Sequence, residues 1–145
     1  MELLVRIHPD CPNKEPILAP AKPGDAGYDL KVWLDEPKHL SGGEMVNLRT
    51  GVFAKMPAGF WGAIRPRSST FAKKKLLVMG GTIDEGYTGE ISVFVWNPMG
   101  QQCIIENGDR LAQLLLMQRF TPPIVFIDSL PITARGSNGF GSTGT

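Results

Sequence analysis

Several short stretches of this chain carry side chains suited to phosphate and nucleotide chemistry. In GGTIDEGYTGEI (residues 80–91), Asp84 follows Thr82-Ile83 and precedes a glycine turn, which would set its carboxylate at a strand end open to a ligand. An aspartate capping its own β-turn is the ordinary alternative. In IRPRSST (64–70), Arg67 stands beside Ser68 and Ser69 at an expected helix start, where guanidinium, hydroxyls and unpaired amides together make an anion site. A plain cap next to a surface arginine is the competing reading. Asp29, inside YDLKVWL (28–34), is equally suited to pairing with an arginine or lying near a metal ion. Arg110 and Gln113 in DRLAQLLL (109–116) fall on opposite faces of a strand or on one face of a helix. The final segment, RGSNGFGSTGT (135–145), offers a guanidinium at Arg135, a ring at Phe140, and hydroxyls at Ser142 and Thr143 among glycines. That set can grip a phosphate, stack on a base and wrap an anion.

The elements that must position these groups are short and mostly two-fold in period. Tyr28, Leu30, Val32 and Leu34 alternate with Asp29, Lys31 and Trp33, as in a half-buried strand. Residues 91–98 (ISVFVWNP) are apolar on both faces, as in a strand covered on both sides. Further strands are expected at 3–7, 45–56, 60–66, 75–80 and 124–127. LAQLLLMQRF (111–120) is read as strand rather than helix because Asn107-Gly108-Asp109 before it resembles a hairpin turn. One short helix is expected at 68–75, capped by Ser68 or Ser69. The result is an all-β sandwich or barrel.

The chain has 145 residues with 17 Gly and 12 Pro, a length suited to one domain and a composition that turns often. With 42% hydrophobic residues and a formal charge of +1, it is neither disordered by composition nor basic enough for non-specific nucleic-acid binding. Cys11 and Cys103 lie far apart and share no ligand-like spacing with His8 and His39, which excludes a structural zinc site built from Cys and His. No signal peptide and no apolar run near the roughly 18 residues of a membrane span is evident, so a soluble, cytoplasmic or otherwise intracellular protein is expected.

Five segments, AGYDL (26–30), PRSST (66–70), GTIDEGYTGE (81–90), DRLAQL (109–114) and RGSNGFGSTG (135–144), resemble in order and spacing the five motifs of the trimeric deoxyuridine triphosphate nucleotidohydrolases, or dUTPases. The resemblance implies a jelly-roll (β-clip) domain over residues 1–134, with one short helix, and a mobile C-terminal arm at 135–145. It also implies a homotrimer whose shared sites hydrolyse dUTP to dUMP and pyrophosphate with Mg²⁺, without membrane or direct nucleic-acid contact. Such an activity limits uracil incorporation into DNA and supplies dUMP for dTMP synthesis. By resemblance, Asp84 is the general base on the attacking water and Tyr87 underlies the deoxyribose. A hairpin bounded by 78–84 and 91–93, including Gly81, Thr82, Ile83 and Ser92, meets the uracil edge. Arg67, Ser68, Ser69 and Gln113 hold the phosphates. Arg135 reaches the γ-phosphate, Phe140 stacks on uracil, and Gly141, Ser142 and Thr143 wrap the γ-phosphate. Asp29 contacts the water shell of Mg²⁺, and Arg110 braces a carboxylate. The related trimeric dCTP deaminases would need a catalytic glutamate near the position of Phe94, which this chain lacks.

Overall fold

The computed structural model of the protein describes residues 1–20 and 22–137. Its strands are β1 (Leu4–Ile7), β2 (Ile17–Leu18), β3 (Gly27–Lys31), β4 (Lys38–Leu40), β5 (Met45–Lys55), β6 (Phe60–Pro66), β7 (Leu77–Met79), β8 (Gly81–Ile83), β9 (Glu90–Trp96), β10 (Cys103–Ile105) and β11 (Arg110–Gln118). They form a four-stranded sheet β1-β5-β9-β7, a five-stranded sheet β2-β3-β11-β6-β8 and a two-stranded sheet β10-β4, with antiparallel pairing throughout. The fold is all-β, as expected.

Alternation drives the packing. Ile91, Val93 and Val95 of β9, with Leu48 of the neighbouring β5, point into a core shared with Leu30 and Leu114 of the five-stranded sheet, and all six are essentially fully buried. The opposite face of β9 departs from expectation. Phe94 and Trp96 are 45% and 39% exposed and, with Met45, Leu77 and Met79 on the paired strands, form an uncovered apolar face. Among the described residues, one layer packs against β9 and the other side is open.

Residues 111–120 adopt the expected extended form, but the turn before them is not a hairpin. β10 pairs with β4, whereas β11 pairs with β3 and β6, so Asn107-Gly108-Asp109 joins strands of different sheets. The expected strand at 124–127 is absent. Pro122-Pro123 break pairing ahead of it, no strand edge among the described residues receives it, and Ile124, Val125, Phe126 and Ile127 are exposed. The expected helix is reduced to a single π-helical turn, Thr70–Lys74. Ser69 occupies its N-cap without capping it: its hydroxyl accepts a hydrogen bond from Arg67 Nη1 at 3.3 Å instead. Among the described residues, no helix is long and apolar enough to cross a membrane.

Candidate active site

A pocket of about 320 Å³ opens at one end of the five-stranded sheet, and it gathers residues far apart in sequence. Asp29 on β3 stands directly across from Gln113 on β11. Arg67 and Ser68 follow the end of β6, and Arg110 opens β11. All five line the pocket.

A bulge explains how Arg110 and Gln113 come to share it. Strict alternation would place them on opposite faces, but the register of β11 against β3 slips between Arg110 and Ala112. Leu111 and Ala112 are therefore buried in succession, and Arg110 and Gln113 emerge on the same side. The displaced Leu111 carbonyl accepts the buried Thr70 hydroxyl at 2.6 Å and the Arg67 amide at 3.5 Å, which ties the helical turn to the bulge.

Asp29 organises the pocket. Its Oδ1 accepts from Arg67 Nε at 2.6 Å, and its Oδ2 from Arg110 Nη1 at 3.5 Å. Asp29 thus pairs with both arginines. Arg67 Nη1 also donates to the Arg110 carbonyl at 3.2 Å, so three acceptors fix the guanidinium plane. Gln113 Nε2 donates to the Pro66 carbonyl at 3.1 Å, and its amide lies over Gly27. A Cβ on Gly27 would overlap Gln113 Oε1 and approach Cδ to 2.9 Å, so glycine is what leaves room for that pose.

Asp25, which the sequence reading did not single out, lines the same pocket and accepts the Lys22 amide in a turn. With Arg67 and Arg110 facing Asp29 and Asp25, the pocket's charges balance. Among the described residues, no group of three or more His, Cys, Asp or Glu could hold a metal ion. The two carboxylates suit contact with a hydrated cation rather than a protein cage.

Asp84 and Tyr87 lie elsewhere. β8 carries Gly81, Thr82 and Ile83 along β6, and the chain then turns through Asp84–Tyr87, where the Tyr87 amide donates to the Asp84 carbonyl at 3.0 Å. The expected single hairpin is divided: Val78 and Met79 pair with β9, whereas residues 81–83 cross to the other sheet. Ser92 lies half-buried on the outward face of β9. Tyr87 is held by its hydroxyl, which donates to the Glu90 carbonyl at 3.0 Å, with its ring across Gly89. Neither Asp84 nor Tyr87 lines the Arg67 pocket. Arg135 lies outside it too, and Phe140, Gly141, Ser142 and Thr143 fall outside the described residues.

Glu90 is a second residue that the sequence did not flag. Its carboxylate takes a bidentate bond from Arg49 and accepts the Gly51 amide at 2.9 Å. Burial, the largest single influence, pushes its carboxyl up. The Arg49 hydrogen bond, the Gly51 amide, the Arg49 charge and the Thr50 amide together outweigh it and hold Glu90 below the ordinary carboxylate value.

Residues 13–144 match the family model described as dUTPase. The chain belongs to the dUTPase family. It is 40% identical over 121 residues to the deoxyuridine 5'-triphosphate nucleotidohydrolase of Paramecium bursaria Chlorella virus 1, covering 83% of this chain and 84% of that protein. It is 38% identical over 148 residues to the Streptomyces coelicolor protein of the same name, covering 99% of this chain and 78% of that one. Among solved structures, the dUTPase of Staphylococcus bacteriophage 80alpha with dUPNHPP superposes with a TM-score of 0.88 at 25% identity, covering 99% of both chains. A point mutant of the dUTPase from phage phi11 of S. aureus, described with a structural Mg(II) ion, has the same fold, with a TM-score of 0.76 at 24% identity over 89% of this chain and 98% of that one. The dUTPase jelly roll is thus the architecture into which the bulged β11 and the divided third motif fit.

Proposed function

We propose that this protein is a dUTP diphosphatase whose active site is assembled from more than one copy of the chain. The observation that carries the reading is the division just described. One pocket collects Asp29, Arg67, Ser68, Arg110 and Gln113, and it excludes Asp84 and Tyr87 of the same chain. A second copy seated on the uncovered apolar face around Phe94 and Trp96 would supply what is missing, in the homotrimer that the family resemblance implies.

In this site Arg67, Ser68, Ser69 and Gln113 bind the triphosphate. The backbone of Gly81, Thr82 and Ile83, with Ser92, reads the uracil edge, where a close fit leaves cytosine with unpaired donors and thymine with no room for its methyl group. Tyr87 lies under the deoxyribose and excludes a ribose 2′-hydroxyl. Asp84 orients the attacking water, takes its proton and directs the oxygen at the α-phosphorus, which releases pyrophosphate and leaves dUMP. Arg135, Phe140, Gly141, Ser142 and Thr143 close over the nucleotide as an arm.

A charge-balanced pocket cannot by itself attract a substrate with nearly four negative charges. Arg135 contributes one further cation. Mg²⁺, when it arrives with the triphosphate, supplies the remaining charge neutralisation. Asp29, and Asp25 beside it, would meet that ion through its waters, and Asp29 also orients Arg67. A substrate drawn from the nucleotide pool puts the enzyme inside the cell. Deamination of dCTP is disfavoured: Phe94, where the related deaminases need a glutamate, is an exposed ring on the outward face of β9.

The test is pyrophosphate release from dUTP with Mg²⁺, by wild type, by Asp84→Asn and by a chain ending before Arg135. Both variants should lose nearly all turnover, and a wild type as slow as Asp84→Asn would sink the reading. Mixing inactive Asp84→Asn with inactive Arg67→Ala should restore part of the activity, because some mixed sites then carry both groups intact. No recovery, or a solution mass near the 15.8 kDa of one chain, would contradict shared sites.

A further inference from the structure

The Asp84 turn is held at both ends, and the two ends are held differently. At the Glu90 end, the Arg49 bond and the Gly51 amide anchor the chain to β5. At the Asp84 end, the anchor is the adjacent side chain. Glu85 Oε2 accepts the Gly59 amide at 3.0 Å and lies 3.3 Å from Arg119 Nη2. The Arg119 amide in turn donates to the Gly59 carbonyl at 2.7 Å. Gly59 is thus gripped on its N–H by Glu85 and on its C=O by Arg119, and Arg119 closes the ring back onto Glu85. This small ring joins the turn after β8, the turn that opens β6 and the exit of β11.

Among the described residues, the Asp84 carboxylate makes no hydrogen bond or ion pair, so the backbone of its turn sets its direction. That leaves both carboxylate oxygens available to accept from a water. The turn has little else to hold it, since Gly86 at its apex has open space around it. Half-exposed ion pairs such as Arg119 with Glu85 contribute little to global stability. Displacing a reacting group by an ångström, in contrast, can cost about 100-fold in rate.

We propose that Glu85, braced by Gly59 and Arg119, is a positioning residue that fixes the direction of Asp84. The proposal rests on the dUTP diphosphatase reading for Asp84, and its test separates the two.

The full chain would be compared with Glu85→Ala, Glu85→Gln and Arg119→Ala in pyrophosphate release from dUTP and in site-resolved hydrogen–deuterium exchange. Glu85→Ala should lower kcat roughly tenfold while KM stays within about twofold, because the loss is one of geometry rather than substrate contact. Glu85→Gln, which keeps an amide oxygen for the Gly59 N–H, should recover most of that loss. Arg119→Ala should fall between them. The Gly59 and Tyr87 amides should exchange roughly tenfold faster in Glu85→Ala, with β9 unchanged. Wild-type kcat in a folded Glu85→Ala overturns the proposal. So does a loss that appears only in KM, or exchange accelerated evenly across the sheets. If Glu85→Ala does not fold, Glu85→Gln and Arg119→Ala carry the same comparison. A wild type that releases no pyrophosphate would overturn the enzymatic reading, and the Tyr87 amide would still decide whether Glu85 holds the turn.

Discussion

Replacing Asp29 tests whether its grip on Arg67 is what makes the pocket a phosphate site. The Arg67 Nε to Asp29 Oδ1 bond is 2.6 Å long, and its side chains are only 25% and 21% exposed. In Asp29→Asn the charge is lost, and an amide nitrogen replaces one of the two oxygens that face guanidinium groups. A charge-assisted hydrogen bond contributes about 1.5–3 kcal/mol net, and partial exposure favours the lower half of that range, about 2 kcal/mol. That corresponds to about a 30-fold loss in kcat/KM for dUTP. Arg67→Lys keeps a positive charge, but a single ammonium cannot reach Asp29, Ser69 and the Arg110 carbonyl together, so a similar loss is expected. Because the Arg67–Asp29 bond is common to both substitutions while the Ser69 and Arg110 contacts belong to Arg67 alone, the double variant should lose no more than a few-fold beyond Arg67→Lys, well short of the roughly 900-fold of independent effects. Steady-state pyrophosphate release, followed across a Mg²⁺ titration up to saturation, measures all four corners of this cycle. Losses that multiply, together with a raised Mg²⁺ requirement in Asp29→Asn alone, would refute the argument and make metal-bound water the dominant partner of Asp29.

Three further outcomes follow from single contacts. Thr50 is fully buried at the β5 bulge, where its hydroxyl donates to the Ile91 carbonyl at 2.6 Å and accepts the Val52 amide at 3.1 Å. Thr50→Val should therefore cost about 1–3 kcal/mol in urea unfolding, and a loss under about 0.5 kcal/mol would contradict it. Lys75 ends the helical turn in the left-handed region at φ 57°, so Lys75→Gly should stabilise the protein by about 0.5–1 kcal/mol in the same assay. Glu90 is held below its ordinary value of 4.5, so its contribution is present above that pH and is lost as pH falls through its lower folded value. The stability gap between wild type and Glu90→Gln should thus be full at pH 7 and close in acid; a gap independent of pH would show that its charge is not what matters.

Much of the fold was legible because it follows from alternation within single strands. Ile91, Val93 and Val95 announce a buried face without reference to any neighbour, and LAQLLLMQ is extended because both flanking strands accept it. What was not legible depends on partners. The bulge that puts Arg110 and Gln113 on one side arises from the register of β11 against β3, which no local pattern encodes. Ser69 has the chemistry of a helix cap, yet its hydroxyl goes to Arg67, because the guanidinium is brought there by Asp29 from another strand. Glu85 and Arg119 carry no signal in sequence and acquire a role only through Gly59, which lies between them in space.

Two misreadings have a different origin. The sequence reads Phe94 and Trp96 as covered and residues 124–127 as paired, and among the described residues neither holds. Among the described residues nothing covers either apolar segment. The Arg67 pocket likewise collects residues of three motifs without Asp84. A second copy of the chain against the β9 face would answer both kinds of shortfall: it would cover rings that a monomer leaves wet and bring an Asp84 turn to a pocket that has none. The same logic constrains mutants. Phe94→Ser should leave the Ile91–Val95 core intact while weakening assembly, so its activity should rise with protein concentration far more steeply than that of the wild type. Activity strictly proportional to Phe94→Ser concentration over a hundredfold range would separate the apolar face from the active site.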